Sequence, residues 1–397
     1  MKTVMLVLGC LICVVLLAVS ALYLNASSEF GDTPSGERLQ RIQASPQFNK
    51  DTGKFQNRNP QDFQSKMPFF KLLKLYFLGP EIRVPTAALP AIKPVLKDFL
   101  APLSEPSDVR LIWLGHSTVL MRIAEKTILI DPALSKRVAP VFFLGNRFQP
   151  PPLTLDELPP IDLVLISHDH YDHLDKASLK SLIEAAGKSA TYIMPLGVGA
   201  RVESFGIPVT QIVELDWWET FGDTMGSGSG ESTSGIKITA APSQHFSGRG
   251  LSDSLKTLWA GFVIETENVR GFYSGDTGYH SHFKEAGDRY GGFDFALLES
   301  GQYNQMWQYV HLLPEEVVQA AIDLRAKQFL PMHWGMYNLS IHDWFDPIES
   351  VSSLAEKMNV SIRAPMLGEL LSIRKSEAVP PGEKWWREHT DYKTRRP

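Results

Sequence analysis

Cysteine is nearly absent from this chain of 397 residues, which contains only Cys10 and Cys13. Both lie in an apolar run at the N-terminus, so the rest of the chain has no thiol. A disulfide framework and a metal site built from thiolates are therefore excluded for the body of the protein. Any metal ion bound there must be held by histidine and carboxylate side chains.

An excess of positive charge is also missing. The chain has 39 lysines and arginines against 44 aspartates and glutamates, which gives a formal net charge of −5. Proteins that bind nucleic acid usually carry a basic balance or a basic patch, so we expect no nucleic-acid partner. The apolar fraction of 44% is ordinary for a globular protein. The length is sufficient for one large catalytic domain or two smaller ones.

Residues 1–24 are expected to direct the chain to a membrane. Val4 to Leu24 is almost wholly apolar, and Lys2 precedes it. A run of this length can just span a bilayer as a helix, and the preceding lysine favours a cytoplasmic N-terminus. The segment Ala18-Val19-Ser20 also resembles a signal-peptide cleavage site. We therefore expect a signal anchor with the catalytic body on the exported side, and secretion after signal-peptide cleavage as the alternative.

Composition divides the remaining chain into four parts. Residues 25–60 are rich in Ser, Gly, Gln, Asn and Pro, which predicts a flexible linker. Residues 61–108 contain the apolar run Phe69–Phe77, and we expect this N-terminal extension to pack on the catalytic domain, although such a run also suits a membrane surface. From residue 109 to residue 375 short apolar strands alternate with helical stretches, which predicts an α/β catalytic domain. Residues 376–397 form a C-terminal tail.

A dense cluster of histidines and carboxylates follows the apolar strand Asp162–Ile166. The segment reads Ser167-His168-Asp169-His170-Tyr171-Asp172-His173-Leu174-Asp175. Residues two apart on an extended chain point to the same side, so His168 and His170 can face one metal ion. The chain must then turn, which lets Asp172 and His173 face a second ion. These side chains are ligands that suit zinc, whereas a polar loop that merely caps the next helix would not need so much histidine.

Three more candidate ligands come directly after other apolar strands. His245, Asp276 and His333 each lie just past the end of such a strand. Loops at strand ends are where a rigid sheet presents functional groups. Each of these residues alone is typical of a structural contact or a turn. Together with the histidine-rich segment, they indicate a single site that collects all of them.

The order of these residues resembles the metallo-β-lactamase superfamily, whose pattern is His-x-His-x-Asp-His followed by His, Asp and His. The resemblance covers residues 109–373. It implies an α/β fold of the αββα sandwich type, with two divalent metal ions, expected to be Zn²⁺, at one edge of the sheets. It also implies the ligands, which are His168, His170 and His245 for the first ion, Asp172, His173 and His333 for the second, and Asp276 as the bridge between them.

Further segments are similar to the branch that contains N-acyl-phosphatidylethanolamine-hydrolysing phospholipase D and its bacterial relatives. They are Trp113–Val119, Leu258–Phe262, Ser274–Tyr279 and Met332–Gly335. The same similarity implies that His311 is an active-site histidine beside the metal pair. The chain departs from the branch at Glu299 and Gln302, where the lipid enzyme has small apolar residues. An acid and an amide there predict a more polar substrate wall.

These observations predict a dinuclear-metal-dependent hydrolase with Asp172 and His311 as its catalytic residues. We expect a phosphodiesterase of the phospholipase D type, which acts on an N-acyl-phosphatidylethanolamine-like lipid through a metal-bridging hydroxide. His311 would protonate the leaving group, and Asp131 would orient one ligand histidine. His116 is either a residue behind the ligands or a turn histidine. The expected partners are a phospholipid or another phosphodiester, and a membrane. A metal-dependent hydrolase of lactones or carboxylic esters is the alternative, because acyl transfer suits the same site.

Overall fold

The computed structural model describes residues 2–60, 69–141, 144–186, 190–223, 235–374 and 382–396. The strands are β1 (Phe48–Asn49), β2 (Lys54–Phe55), β3 (Val109–Gly115), β4 (Thr118–Ile123), β5 (Lys126–Ile130), β6 (Leu163–Leu165), β7 (Thr191–Pro195), β8 (Ile212–Leu215), β9 (Thr220–Asp223), β10 (Ile236–Ala241), β11 (Gly261–Glu265), β12 (Arg270–Tyr273), β13 (Phe295–Glu299), β14 (Phe329–Met332) and β15 (Leu370–Ile373). The helices are α1 (Lys2–Ser27), α2 (Gly36–Ala44), α3 (Phe69–Leu78), α4 (Leu96–Leu100), α5 (Lys176–Ala186), α6 (Val198–Ser204), α7 (His282–Tyr290), α8 (Pro314–Asp323), α9 (Asp346–Lys357) and α10 (Thr390–Arg395).

Two large mixed sheets form the body of the described chain. One has seven strands in the order β15-β3-β4-β5-β6-β7-β8, and the other has six in the order β14-β13-β12-β11-β10-β9. The run from β5 to β8 is parallel, as is the run from β12 to β14, and the other neighbours are antiparallel. Parallel strands end at the same edge of a sheet. The loops that follow β12, β13 and β14 therefore lie side by side, and so do those that follow β5 and β6.

An apolar core fills the space between the two sheets. Leu111 and Ile130 of the seven-stranded sheet belong to the same buried cluster as Ile238 and Phe262 of the six-stranded sheet. Ile112, the neighbour of Leu111, belongs instead to a second cluster with α5 and α6 on the outer face, as the alternation of strand side chains requires. A third cluster joins the outer face of the six-stranded sheet to α7, α8 and α9. The layers are thus helix, sheet, sheet and helix, in agreement with the predicted αββα sandwich.

The start of α8 follows from its local sequence. Pro314 stands at the beginning of the helix, where its missing N–H costs nothing, and Glu315 and Glu316 lie in the first turn. Carboxylates in that turn are stabilised by the positive end of the helix dipole. The helix begins three residues after His311, so it fixes one end of the loop that carries this histidine.

Residues 25–60, predicted as a flexible linker, are instead packed on the sandwich. Ile42 of α2 and Phe55 of β2 are buried in the core between the sheets. The side-chain amide of Asn57 forms two hydrogen bonds with the backbone of His245. The polar composition of this segment suggested disorder. The Asn57 amide instead pairs with backbone groups of the sandwich, and composition cannot reveal such pairing.

The other two flanking segments also contact the catalytic sandwich where the structure describes them. In the N-terminal extension, which is described from residue 69 onward, the Tyr76 hydroxyl donates a 2.7 Å hydrogen bond to the carbonyl oxygen of Asn338. In the C-terminal tail, residues 376–381 lie outside the described residues. Trp385 and Trp386 are buried against Trp334, the residue after the predicted ligand His333.

Helix α1 is long and apolar enough to cross a membrane, judged by length and composition. The window Cys10–Ser27 has a mean hydropathy of 2.2 and is only 6% buried against the rest of the chain. Such a helix can serve as a signal sequence or as an anchor. Glu29 lies two residues beyond the end of this helix, and its carbonyl oxygen accepts hydrogen bonds of 3.1 and 2.8 Å from the Arg249 guanidinium. The exit of the helix is therefore tied to the sandwich.

Candidate metal centre

The predicted metal ligands all lie beyond strand ends, and the structure brings them together. His168, His170, Asp172 and His173 follow β6, His245 follows β10, Asp276 follows β12, and His333 follows β14. The backbone turns sharply around them. His116, Asp131 and His333 have φ values of 54°, 40° and 65°. Such left-handed conformations cost energy in residues other than glycine, and they are concentrated at functional sites.

The first group of side chains able to hold a metal ion consists of His168, His170, His245 and Asp276, with one ligand atom from each within 4.8 Å of the others. Nδ1 of His170 lies 2.8 Å from Nε2 of His168 and 3.2 Å from Nε2 of His245. Protonated histidine rings at these distances would repel one another, whereas the lone pairs of three neutral rings can share one metal ion.

The second group consists of His116, Asp172, His173 and His333, again within 4.8 Å of one another. It contains the three residues predicted for the second ion. His116 joins them because its Nε2 lies 2.9 Å from Oδ2 of Asp172. The histidine is fully buried. Of the two interpretations of His116, the structure therefore favours a residue that holds a ligand over a turn histidine.

Asp276 lies between the two groups. Its Oδ2 is 3.9 Å from Nε2 of His168 and 3.7 Å from Nε2 of His245. Its Oδ1 is 3.2 Å from Nε2 of His173 and 3.1 Å from Nδ1 of His333. Each carboxylate oxygen thus faces a different group, which is the geometry that a bridging ligand requires.

The buried polar atoms of the centre fit a bound cation. Nε2 of His173 and Oδ1 of Asp276 have no hydrogen-bond partner among the described residues. An unpaired buried polar atom costs about 1–3 kcal/mol, and a cation bound to both atoms would remove this cost. A set of imidazole nitrogens and carboxylate oxygens without thiolates suits zinc and similar divalent ions.

Asp131 organises the segment that carries most of these residues. Its Oδ1 accepts a 2.7 Å hydrogen bond from the Ser167 N–H, and its Oδ2 lies 2.6 Å from Nδ1 of His173. The hydroxyl groups of Ser167 and Tyr273 also donate to Oδ2. The hydrogen bond to Nδ1 leaves Nε2 of His173 for the metal centre. Asp131 thus contacts and orients His173, one of the predicted ligands, as the sequence led us to expect.

Two other ring nitrogens are held in the same way. Nδ1 of His245 lies 2.9 Å from the carbonyl oxygen of Val310, so it must carry the hydrogen and donate it. Nδ1 of His168 lies 3.0 Å from the hydroxyl of Ser167. In both residues Nε2 remains available on the side of Asp276.

Burial and the neighbouring carboxylates together determine the pKa values of the histidines. Burial holds the pKa values of His168, His245 and His333 well below the ordinary value, so they are neutral, as metal ligands must be. Burial also opposes protonation of His173, but the carboxylates of Asp276, Asp172 and Asp131 outweigh it and raise the pKa of this histidine. Burial raises the pKa of Asp276 to about 6.

The other two carboxylates of the histidine-rich segment are structural. Oδ1 of Asp169 accepts a 2.8 Å hydrogen bond from the Gly248 N–H, and its Oδ2 accepts one from the Thr257 hydroxyl. Asp175 accepts hydrogen bonds from Ser135 and Ser178 at the start of α5. Only Asp172 of the three therefore faces the metal groups.

His311 lies beside the centre, as predicted. Its ring stacks on that of His333 with the centroids 5.3 Å apart. Its Nδ1 lies 3.1 Å from Oε2 of Glu299, whose other oxygen accepts a 2.5 Å hydrogen bond from the Leu312 N–H. Burial raises the pKa of Glu299 well above its usual range and lowers that of His311.

Glu299 is not part of the polar substrate wall that the sequence predicted, whereas Gln302 lines the cavity beside the metal groups. The Glu299 carboxyl group is turned towards His311 and the backbone. The Gln302 amide donates to the carbonyl oxygen of Tyr337 and accepts from the Leu339 N–H. The polar groups of both side chains are paired within the protein, because each is nearly fully buried.

A cavity of about 390 Å³ opens onto both metal groups. Its lining consists of His170, Asp172, His245, Phe246, Asp276, Gln302, Trp307, Val310, His311, His333 and Leu339. The contributions of Phe246, Trp307 and Leu339 were not predicted, because isolated apolar residues in loops carry no sequence signal. The contact between Glu299 and His311 was not predicted either. Its sequence signal is the position of Glu299 at the end of an apolar strand, close to where the predicted ligands lie on their own strands. The cavity joins a polar, metal-binding surface to an apolar one.

Comparisons with known proteins agree with this geometry. The family model described as "Beta-lactamase superfamily domain" matches residues 126–334. An uncharacterized protein of Mycobacterium tuberculosis is 37% identical over 287 residues, which cover 71% of this chain and 73% of that protein. N-acyl-phosphatidylethanolamine-hydrolyzing phospholipase D 1 of Caenorhabditis elegans is 33% identical over 254 residues, which cover 62% of this chain and 69% of that protein.

A solved structure supports the fold. Igni18, a metallo hydrolase from the archaeon Ignicoccus hospitalis, superposes with a TM-score of 0.51 at 22% identity, covering 68% of this chain and 99% of that chain. The matched family model spans more than half of the chain, and it includes all seven predicted ligands. The chain therefore belongs to the metallo-β-lactamase superfamily, and it is a metal-dependent hydrolase of that superfamily.

Proposed function

We propose that this protein is a dinuclear-metal-dependent phosphodiesterase of the phospholipase D type, which hydrolyses an N-acyl-phosphatidylethanolamine-like lipid. The observation that carries the proposal is the pair of ligand groups that share Asp276 beneath a partly apolar cavity. Two cations leave such a site with net positive charge even with two carboxylates present, and this charge favours an anionic phosphodiester. The similarity to the C. elegans phospholipase D supports the same substrate class.

In this proposal His168, His170 and His245 would hold one divalent ion, taken to be Zn²⁺, and Asp172, His173 and His333 would hold the other. Asp276 would be shared between the two groups. When bound, a pair of metal ions activates water for attack on phosphorus and stabilises the developing negative charge. His116 keeps the Asp172 carboxylate in place through the 2.9 Å contact of its Nε2.

Asp172 and His311 have the catalytic roles in this proposal. Asp172 is the more exposed of the two carboxylates, at 14% of its side chain against 3% for Asp276, and it lines the cavity. Its carboxylate is therefore accessible to a water molecule and can accept a hydrogen bond from it. His311 also lines the cavity, and in this proposal it donates a proton to the leaving oxygen.

The lipid part of the substrate would bind along the apolar side of the cavity. Phe246 and Trp307 offer ring surface there, and Leu339 lies at the rim with 36% of its surface exposed. The apolar helix α3 lies near this rim, because Tyr76 bonds the carbonyl oxygen of Asn338, the residue before Leu339. We propose that α1 anchors the protein in a membrane, which would keep the cavity close to lipid substrate, with the catalytic body on the exported side.

The proposal is tested by a hydrolysis screen of the zinc-loaded protein. We expect a phosphodiester lipid, presented in detergent micelles, to be cleaved with release of its alcohol head group. Lactones and carboxylic esters of similar acyl length should react at least about tenfold more slowly in kcat/KM. Addition of a chelator should abolish turnover, and restored zinc should recover it.

Faster opening of lactones than of any phosphodiester would overturn the phosphodiesterase assignment. The acyl-hydrolase alternative would then take its place, since hydrolysis of esters and lactones also develops negative charge beside the metal ions. The metal ligands proposed above would be the same in both cases.

A further inference from the structure

The carboxyl group of Glu299 lies beside His311 at the edge of the candidate site. Glu299 is the last residue of β13, and only 1% of it is exposed. Its Oε2 lies 3.1 Å from Nδ1 of His311, and its Oε1 accepts the backbone N–H of Leu312. The side chain is thus held at both oxygens, with one of them directed to the ring of the proposed proton donor.

This placement determines how the His311 ring is presented. Nδ1 is turned towards Glu299, so the ring nitrogen left for the cavity is Nε2. The orientation of the ring is further restricted by the parallel ring of His333 and by the edge contact with His245, both with centroids 5.3 Å apart. A histidine fixed at Nδ1 by an acid has one defined nitrogen for proton transfer, as in other catalytic His–carboxylate pairs.

We propose that Glu299 is a positioning residue that acts through His311, and that the pair delivers a proton from Nε2 to the leaving alkoxide oxygen. This inference rests on the proposed hydrolase function of the same site. When Nε2 carries a hydrogen, the carboxyl group of Glu299 and Nδ1 share the second proton of the pair.

The oxygen of water forms a bond to phosphorus, the bond between phosphorus and the leaving oxygen breaks, and the electron pair stays on that oxygen. The oxygen takes the proton from Nε2 and leaves as an alcohol. The proton lost by the attacking water restores the Glu299–His311 pair, so the cycle consumes one water molecule.

The same distances also fit a second role for Glu299, as a metal ligand, and experiment separates the two roles. Ligand atoms of Asp276, Glu299, His311 and His333 lie within 4.8 Å of one another, so Glu299 and His311 could themselves hold a metal ion. A positioning residue and a metal ligand differ in two measurable respects, which are the metal content of the variant and the dependence of its rate on the leaving group.

The test compares two phosphodiesters that differ only in the leaving group, a primary alkyl alcohol or 4-nitrophenol. The alkyl alkoxide needs a proton as it leaves, whereas 4-nitrophenolate is stable without one. In Glu299→Gln the amide oxygen can still accept from the Leu312 N–H, but the acid is lost.

We expect kcat for the alkyl ester to fall about tenfold or more in Glu299→Gln and about a hundredfold in His311→Ala. With the 4-nitrophenyl ester kcat should change less than about threefold, and KM should stay within about twofold for both esters.

Two further variants complete the comparison. The double variant Glu299→Gln with His311→Ala should be no slower than His311→Ala alone, because residues that act as one unit are not additive. Glu315→Gln, which changes an exposed glutamate of α8, is the matched control and should behave as the unaltered protein. Metal content and the melting temperature should be unchanged in all of these variants.

The results distinguish a positioning role of Glu299 from a role as a metal ligand. Loss of bound zinc in Glu299→Gln, or an equal fall of kcat for both esters with zinc retained, would overturn the proposal. If the unaltered protein cleaves no phosphodiester, the phosphodiesterase assignment fails separately. The comparison is then made with an alkyl and a 4-nitrophenyl carboxylic ester, where the same difference between leaving groups is expected if Glu299 acts through His311.

Discussion

At the scale of single residues, Asp131 is the side chain on which the geometry of the metal segment depends most. Its Oδ2 faces three donors, from Ser167, His173 and Tyr273. Asp131→Asn keeps one acceptor oxygen but places an NH₂ group where those donors converge, so the orientation of His173 should be lost. We expect about a 10–100-fold loss of zinc affinity, measured by competition with a chromophoric chelator.

The control for Asp131 is Asp156→Asn, which makes the same chemical change at an exposed position. It should leave zinc affinity within about twofold of the unaltered protein. Unchanged zinc affinity in Asp131→Asn would show that His173 does not need this carboxylate, and the assignment of His173 as a ligand would be weakened with it.

At the scale of secondary-structure elements, the segment before the sandwich supports a ligand-bearing loop. Asn57, two residues beyond β2, pairs with both the N–H and the carbonyl oxygen of His245, and it also accepts from the indole N–H of Trp259. Asn57→Ala would leave these buried backbone groups without partners. We expect the free energy of unfolding to fall by about 2 kcal/mol, measured by urea denaturation of the zinc-loaded protein.

Gln43→Ala removes an exposed amide from the adjacent helix α2 and is the matched control, with an expected change below about 0.5 kcal/mol. If Asn57→Ala is no less stable than this control, residues 25–60 behave as the linker that their composition suggested. The structural pairing of Asn57 would then contribute nothing to folding.

At the scale of the whole molecule, the proposed anchor role of α1 would determine where the catalytic sandwich works. A transmembrane helix holds a protein at the membrane far more firmly than a surface contact does. We expect the full chain to sediment with membranes and a chain lacking residues 2–24 to be soluble. The shorter chain should cleave a water-soluble phosphodiester as fast as the full chain, but it should cleave vesicle lipid more slowly.

Sequencing of the N-terminus of the full chain distinguishes the two localisation hypotheses. A chain that starts at Met1 and sediments with membranes agrees with an anchor, and one that starts after Ser20 in the medium agrees with a cleaved signal peptide. Full-length protein in the soluble fraction with Met1 intact would contradict both.

The residues of the candidate site could be predicted from the sequence where they are concentrated in one segment, and could not be predicted where they are dispersed over several loops. His168 to His173 could be recognised because metal ligands are crowded into one short segment after a buried strand. Asp131 could be predicted from its position at the end of β5. Phe246 and Trp307 could not, because an apolar loop residue has the same sequence appearance whether it lines a cavity or packs on a neighbouring helix.

The sequence by itself determined the kind of site and the kind of fold. Without thiols in the body, the metal ligands had to be histidines and carboxylates, and their order along the chain matched one superfamily. Only the tertiary structure decided that His116 supports Asp172, that Asn57 joins the supposed linker to His245, and that Glu299 faces His311 instead of the substrate. These contacts join residues that lie far apart in the chain or on different loops, and their energies depend on burial and on the direction of each polar group. Neither quantity exists until the two sheets have packed together.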